Sequence, residues 1–80
     1  MTPQALLEAY KQEIERVSGR KAADKSIIEY YKGWFRIGMA TVYSDGSIGG
    51  ASFRAFNYRF KDVLGMLNRL KERPSRRDTP

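Results

Sequence analysis

An aromatic side chain and two cationic ones are the residues best placed for chemistry. Trp34 and Arg36 lie two positions apart, and Arg54 lies in the next extended segment of the chain. Side chains two positions apart share one face of a strand. An indole can stack on a nucleobase, and guanidinium groups bind phosphates. This trio predicts an anion-binding surface, with a structural alternative in which Trp34 packs under the N-terminal helix and both arginines point into solvent.

A second basic group lies at the C-terminal end. The helix dipole alone favours cations at a helix C-terminus. This effect is a sufficient reason for the cations up to position 73. The dipole does not account for two arginines beyond the predicted helix, which suit a phosphate backbone or an acidic protein surface. The group consists of Arg69, Lys71, Arg73, Arg76 and Arg77.

The positive charge of the chain is one-sided. Residues 1–31 carry equal numbers of basic and acidic side chains, so residues 32–80 carry the whole net charge of +6. A one-sided positive field attracts polyanions such as nucleic acid. The alternative explanation is that the positive charge only keeps a small protein soluble.

Catalysis is not expected from this composition. The chain has no His and no Cys, which removes the commonest general acid–base and the usual zinc ligands. The carboxylates lie on predicted solvent faces and in a turn, and the glycine-rich residues 46–50 lack the following Lys of a phosphate-binding loop. We therefore expect no enzyme activity, cofactor, metal or membrane segment, and the lack of disulfides favours a cytoplasmic location.

The N-terminal third of the chain predicts one helix followed by an ambiguous segment. Thr2 suits an N-cap, Pro3 the first helical position and Gly19 the C-cap. Residues 25–32 predict a short helix closed by Gly33, although a strand fits their β-branched and aromatic content equally well. The apolar stripe of the first helix is Leu7, Tyr10, Ile14 and Val17.

Residues 34–43 and 47–55 predict a two-stranded antiparallel hairpin. A three-residue loop with Gly46 in the left-handed conformation separates apolar from polar side chains best. In that register Val42 lies opposite Ile48, Ile37 opposite Phe53, and Arg36 opposite Arg54.

The C-terminal part predicts a long amphipathic helix over residues 56–73, stopped by Pro74. The expected fold is α+β: an N-terminal helix, a short helix or strand, the hairpin, and the long helix packed on the hairpin. We expect residues 1–73 to form one domain and residues 74–80 to form a flexible basic tail. Dimerisation through the open edge of the hairpin remains an alternative to a monomer.

The leading functional hypothesis is non-catalytic binding of DNA or RNA by the basic hairpin face together with the C-terminal helix and tail. The alternative is a small protein-interaction module, such as a phage- or plasmid-encoded inhibitor or regulator, that docks on a larger acidic host protein. Both hypotheses use the same candidate residues, because both partners are anionic.

Overall fold

The computed structural model of the chain describes residues 1–49 and 55–75. In these two ranges the chain forms three helices, one three-stranded sheet and one two-stranded sheet, which confirms the α+β class. The helices are α1 (Pro3–Ser18), α2 (Arg20–Lys25) and α3 (Phe60–Lys71). The strands are β1 (Ile27–Tyr31), β2 (Trp34–Gly38), β3 (Thr41–Val42), β4 (Ile48–Gly49) and β5 (Phe56–Tyr58).

Helix α1 begins and ends as its sequence predicts. The Thr2 hydroxyl accepts a 3.1 Å hydrogen bond from the amide of Ala5, and Pro3 occupies the first turn. At the other end Gly19 has a φ of +90°, and its amide donates to the Glu15 carbonyl at 2.9 Å. The predicted cap residues therefore satisfy main-chain groups at both helix termini.

Strand β1 replaces the short helix predicted for residues 25–32. The helix at this point of the chain is α2, and it ends at Lys25. Strand β1 pairs antiparallel with β2, with Ile28 opposite Ile37. Lys32 and Gly33 form the connecting loop and both have positive φ, +49° and +85°, which gives the twist favoured in two-residue hairpin loops. The strand alternative was correct because β-branched and aromatic residues gain cross-strand packing here.

The second partner of β2 is β5, so the sheet order is β1-β2-β5. The prediction that Ile37 lies opposite Phe53 was wrong, because Ile37 pairs with Ile28 on one side and with Phe56 on the other. Phe56 was also wrongly placed in the C-terminal helix. It lies in the edge strand β5 and is 63 % exposed, and the helix begins only at Phe60.

Strands β3 and β4 keep the predicted hairpin register over a shorter length. Val42 lies opposite Ile48, and the Tyr43 amide donates to the Ser47 carbonyl at 2.9 Å across a three-residue loop. Gly46 has the predicted positive φ of +87°. The Asp45 carboxylate accepts hydrogen bonds from the amide and the hydroxyl of Ser47, which lowers the pKa of Asp45.

One hydrophobic core lies between the inner face of the three-stranded sheet and the helices. Helix α3 packs against α1 and β2, as predicted for the C-terminal helix. Helical spacing in the sequence places Leu64 and Leu67 on one apolar stripe, but Leu67 is 1 % exposed whereas Leu64 is 36 % exposed. The buried core consists of Leu6, Leu7, Tyr10, Ile14, Ile28, Phe35, Ile37, Val63, Leu67 and Leu70.

Candidate functional site

The face of the three-stranded sheet that points away from the core carries the candidate site. Side chains alternate along β2, so Phe35 and Ile37 are buried while Trp34 and Arg36 are exposed. We call this surface the outer face. It comprises Glu29 and Tyr31 of β1, Trp34 and Arg36 of β2, Asn57 of β5, Lys32 of the β1–β2 loop, and Arg59 just after β5.

Two exposed aromatic rings lie side by side at one end of the outer face. Tyr31 is paired directly with Trp34 across β1 and β2. Tyr31 is 72 % exposed and Trp34 is 41 % exposed, although burial of such large side chains is usually favourable. The pair therefore offers π surface to a planar ligand.

Each ring has a cation next to it. The Arg59 guanidinium carbon lies 3.6 Å from the centre of the Trp34 ring, a close cation–π stack. The Lys32 ammonium lies 5.3 Å from the centre of the Tyr31 ring. Such contacts are worth about 0.5–1 kcal/mol at exposed sites. They hold positive charge beside both rings, where an anionic group next to a stacked ligand would lie.

A polar row crosses the sheet next to the aromatic pair. Glu29 lies directly opposite Arg36 on one side, and Asn57 lies directly opposite Arg36 on the other. Within the described residues, Glu29 and Arg36 form neither an ion pair nor a side-chain hydrogen bond. The carboxylate and guanidinium are thus open to a ligand. Together with Tyr31, Lys32, Trp34 and Asn57, they line a cleft of about 570 Å³, within the usual size range of ligand pockets.

The outer face brings together two of the residues predicted from the sequence, Trp34 and Arg36. The predicted pairing of Arg36 with Arg54 was wrong, because both neighbours of Arg36 are other residues, Glu29 and Asn57. Arg36 therefore lies opposite a carboxylate, that of Glu29, and not opposite a second guanidinium. Three further predicted residues, Arg54, Arg76 and Arg77, lie outside the described residues.

The other predicted cations lie on α3 or just after its C-terminal end, away from the outer face. Arg69 and Arg73 line a separate cleft of about 260 Å³ with Tyr10 and Met66, on the side of the sheet where the helices pack. Burial raises the pKa of the Tyr10 phenol, the nearby Tyr58 raises it further, and Arg69 and Arg73 lower it. Lys71, in the last turn of α3, is exposed. The basic helix end and the outer face are consequently two surfaces.

The structure adds residues that the sequence reasoning missed. Tyr31, Lys32 and Glu29 were hidden because residues 25–32 were assigned to a helix, and Asn57 because it was placed in the C-terminal helix. The alternation of Ile28 and Tyr30 with Glu29 and Tyr31 is the signal that could have shown one face of a strand. Arg59 had no local signal, because its contact with Trp34 depends on the pairing of β5 with β2.

Within residues 1–49 and 55–75, no group of three or more His, Cys, Asp or Glu side chains converges to hold a metal ion. No helix in the same ranges is both long and apolar enough to cross a membrane.

Comparisons with protein-family models, with curated proteins and with solved structures find no match to this chain. Its function must therefore be inferred from its own side chains. Among these, the outer face is the described surface on which exposed aromatic rings and cations adjoin.

Proposed function

We propose that the protein binds nucleic acid, without catalysing a reaction, through the outer face. The observation that carries the proposal is the directly paired Tyr31 and Trp34, both exposed and both flanked by cations. Proteins that bind single strands combine stacking platforms with positive charge that follows the backbone. Lys32, Arg36 and Arg59 supply that charge.

The energy available from such a surface is sufficient for measurable binding. Stacking of a base on an aromatic side chain contributes about 1–3 kcal/mol, and Tyr31 and Trp34 offer two rings. Each phosphate neutralised on a single strand contributes about −0.7 to the slope of log affinity against log salt. At most three phosphate contacts by these cations therefore predict a slope no steeper than about −2. The net charge of +6 adds long-range attraction for a polyanion.

A protein partner is the second candidate, and one observation favours it. Phe56 lies in β5 and is 63 % exposed, which leaves a large apolar side chain beside a sheet edge that has no further strand among the described residues. Edge strands with exposed apolar groups are sites of strand addition by another chain. This candidate predicts that Phe56→Ala weakens the interaction and that no nucleic acid binds above background.

The test is a titration of the full chain with a fluorescein-labelled oligothymidine about twelve nucleotides long, within the usual site sizes of such proteins. Anisotropy gives the affinity, and the fluorescence of Trp34, the one tryptophan of the chain, reports stacking directly. We expect binding that quenches Trp34 and weakens between about 50 and 200 mM salt. Binding without any change in Trp34 emission would remove the outer face from the proposal.

Matched variants assign the binding to the outer face. Tyr31→Ala removes an exposed ring from this surface, and Tyr43→Ala removes an exposed ring from the β3–β4 hairpin. We expect about a tenfold loss of affinity for the first variant, from about 1–3 kcal/mol of stacking, and none for the second. Arg36→Ala and Arg20→Ala form the corresponding pair for charge, since Arg20 is exposed on α2. Equal losses within each pair would show that the outer face is not the site.

A further inference from the structure

We infer that the outer face binds a single strand and prefers guanine, with Glu29 and Arg36 as the residues that determine the preference. This inference rests on the proposed function and adds to it the conformation and the base that the surface recognises. It follows from the one acidic side chain of an otherwise cationic surface and from its direct pairing with Arg36.

The preference for a single strand follows from the aromatic pair. Tyr31 and Trp34 stand on a sheet, 72 % and 41 % exposed, and offer ring surface to a base that is free to stack. In a duplex both faces of each base are already covered by its neighbours, and reaching one requires unstacking that costs a few kcal/mol. A single strand can splay its bases onto the rings without that cost.

Arg59 has a positioning role in this arrangement. Its guanidinium stacks on the Trp34 ring at 3.6 Å. Trp34 lines the cleft of the outer face together with Arg36 and Asn57, whereas Arg59 is not part of that lining. The part of the indole that borders the cleft is therefore open to a ligand while Arg59 fixes the orientation of the ring.

Glu29 restricts which base fits next to the rings. An ionised carboxylate only accepts hydrogen bonds, and it repels phosphate. Guanine presents two adjacent donors on its Watson–Crick edge, N1–H and the 2-amino group, which match the two carboxylate oxygens. Adenine and cytosine each place an acceptor nitrogen beside their amino group, and thymine has one N–H between two carbonyls. Guanine is thus the base that satisfies both oxygens of Glu29.

Arg36 extends the match to the next atom of the same base. Residues directly opposite on paired strands have Cβ atoms about 4.5–5.5 Å apart, so Arg36 lies next to Glu29 on the outer face. Guanine O6 adjoins N1–H, and arginine is the commonest partner of guanine O6. The Arg36 guanidinium therefore faces guanine O6, and the neighbouring Glu29 carboxylate faces N1–H and the 2-amino group of the same base. Asn57, on the other side of Arg36, supplies a further polar group at the rim.

The experiment compares oligothymidines that differ at one central position. The central base is guanine, hypoxanthine (guanine without its 2-amino group), adenine, cytosine or thymine, and anisotropy gives each affinity. A good bidentate contact discriminates by about 1–3 kcal/mol, so at this exposed site we expect guanine to bind about five- to tenfold more tightly than thymine. Hypoxanthine, which keeps N1–H alone, should lie between them. A duplex of the guanine-containing sequence should bind at least about tenfold more weakly than the single strand.

Glu29→Gln is the decisive variant, and Glu8→Gln is its control. Both remove one negative charge, and Glu8 is exposed on α1, outside the outer face. We expect Glu29→Gln to reduce the guanine preference to less than about twofold and to strengthen binding of plain oligothymidine, because the variant removes a charge that repels phosphate. Glu8→Gln should leave the preference unchanged. Retention of the full preference in Glu29→Gln would overturn the assignment of this residue.

The outcomes separate this inference from the function on which it rests. Equal affinity for the guanine and thymine strands overturns the guanine preference but leaves nucleic-acid binding standing. Equal affinity for duplex and single strand overturns the single-strand preference alone. Absence of binding to every oligonucleotide overturns the proposed function and the inference with it.

Discussion

The Arg16 guanidinium of α1 donates a 2.9 Å hydrogen bond from Nη2 to the main-chain carbonyl of Leu70 in α3. Its Nη1 donates to the Arg73 carbonyl at 2.8 Å and to the Ser75 hydroxyl at 3.1 Å, and Nε forms an ion pair with Glu13. The last carbonyls of a helix have no partner within the helix. One side chain of α1 therefore supplies donors to the C-terminal end of α3 and joins the two helices.

We expect Arg16→Lys to destabilise the protein by about 1–2 kcal/mol, because a lysine ammonium lacks the planar fork that reaches several acceptors at once. Chemical denaturation followed by circular dichroism measures the loss. Arg20→Lys, at an exposed position on α2, is the matched control and should leave stability within about 0.5 kcal/mol of the parent. Equal stabilities of the two variants would show that the hydrogen bonds to α3 contribute little.

Leu67 and Leu64 provide a test of the core within a single helix. Leu67 is 1 % exposed and Leu64 is 36 % exposed, so only Leu67→Ala leaves a cavity. We expect Leu67→Ala to cost about 2–5 kcal/mol, which is comparable to the whole stability of a domain this small, and Leu64→Ala to cost about 1 kcal/mol. Thermal melts compare the two proteins directly. A larger loss for Leu64→Ala would contradict the observed orientation of α3.

Tyr10 makes the stability of the fold sensitive to alkaline pH. Its ordinary pKa is 10.0, and burial at 3 % exposure raises it, with Tyr58 also raising it and Arg69 and Arg73 lowering it. Above pH 10 the unfolded chain gives up the phenol proton more readily than the folded one, so the unfolded state is favoured as pH rises. This stabilising contribution is complete below pH 10 and is lost as pH rises through the folded pKa.

Tyr10→Phe is the variant that isolates this effect. We expect the melting temperature of the parent to fall more steeply with pH above about 10 than that of the variant. Tyr31→Phe, at a ring that is 72 % exposed, is the control and should follow the parent curve. An ultraviolet titration of tyrosinate should also lose a step above pH 10 in Tyr10→Phe. Parallel stability curves for all three proteins would contradict the raised pKa.

How much of the fold the sequence predicts depends on whether the signal is local. The caps of α1 and the turn at Gly46 are set by residues within a few positions of one another, and both were predicted correctly. The Lys32–Gly33 loop carries no Asn-Gly or Asp-Gly signature, and residues 27–31 suit a strand or a helix equally well. The alternation along residues 28–31 is short and includes two adjacent tyrosines, so the pairing of β1 with β2, a tertiary contact, decides between these two structures.

The candidate site was predicted in part for the same reason. Alternation along residues 34–37 was enough to place Trp34 and Arg36 on one face. Their neighbour Glu29 lies in β1, which precedes β2 in the sequence. Asn57 lies in β5 and Arg59 just after it, and β5 follows β2 in the sequence. No local pattern fixes which strand lies beside a central strand, so the acidic residue next to Arg36 could not be foreseen.

The Ser26 hydroxyl connects α2 to the segment that follows β2. It donates to the Ala22 carbonyl at 2.7 Å and accepts from the Ala40 amide at 3.0 Å. We expect Ser26→Ala to cost about 1–2 kcal/mol, because a half-buried site loses two hydrogen bonds and the Ala40 amide loses its acceptor. Ser44→Ala, at an exposed turn position, is the control and should change stability by less than about 0.5 kcal/mol.

The basic tail and the outer face should contribute to nucleic-acid binding in different ways. Arg76 and Arg77 lie outside the described residues, and their contribution is predicted from charge alone. Replacing both with Ala removes two phosphate contacts, so the salt slope on single strands should become shallower by about 1.4. Phosphates carry no sequence information, so affinity should fall alike for guanine and thymine strands.

Trp34→Phe should give the opposite pattern. The substitution weakens stacking and leaves the number of phosphate contacts unchanged. Affinity should therefore fall while the salt slope stays within about 0.3 of the parent. A tail variant that changes the guanine preference, or a Trp34 variant that changes the slope by a full unit, would show that the two surfaces do not act independently. If the tail and the outer face act independently, their effects on binding free energy add in the triple variant.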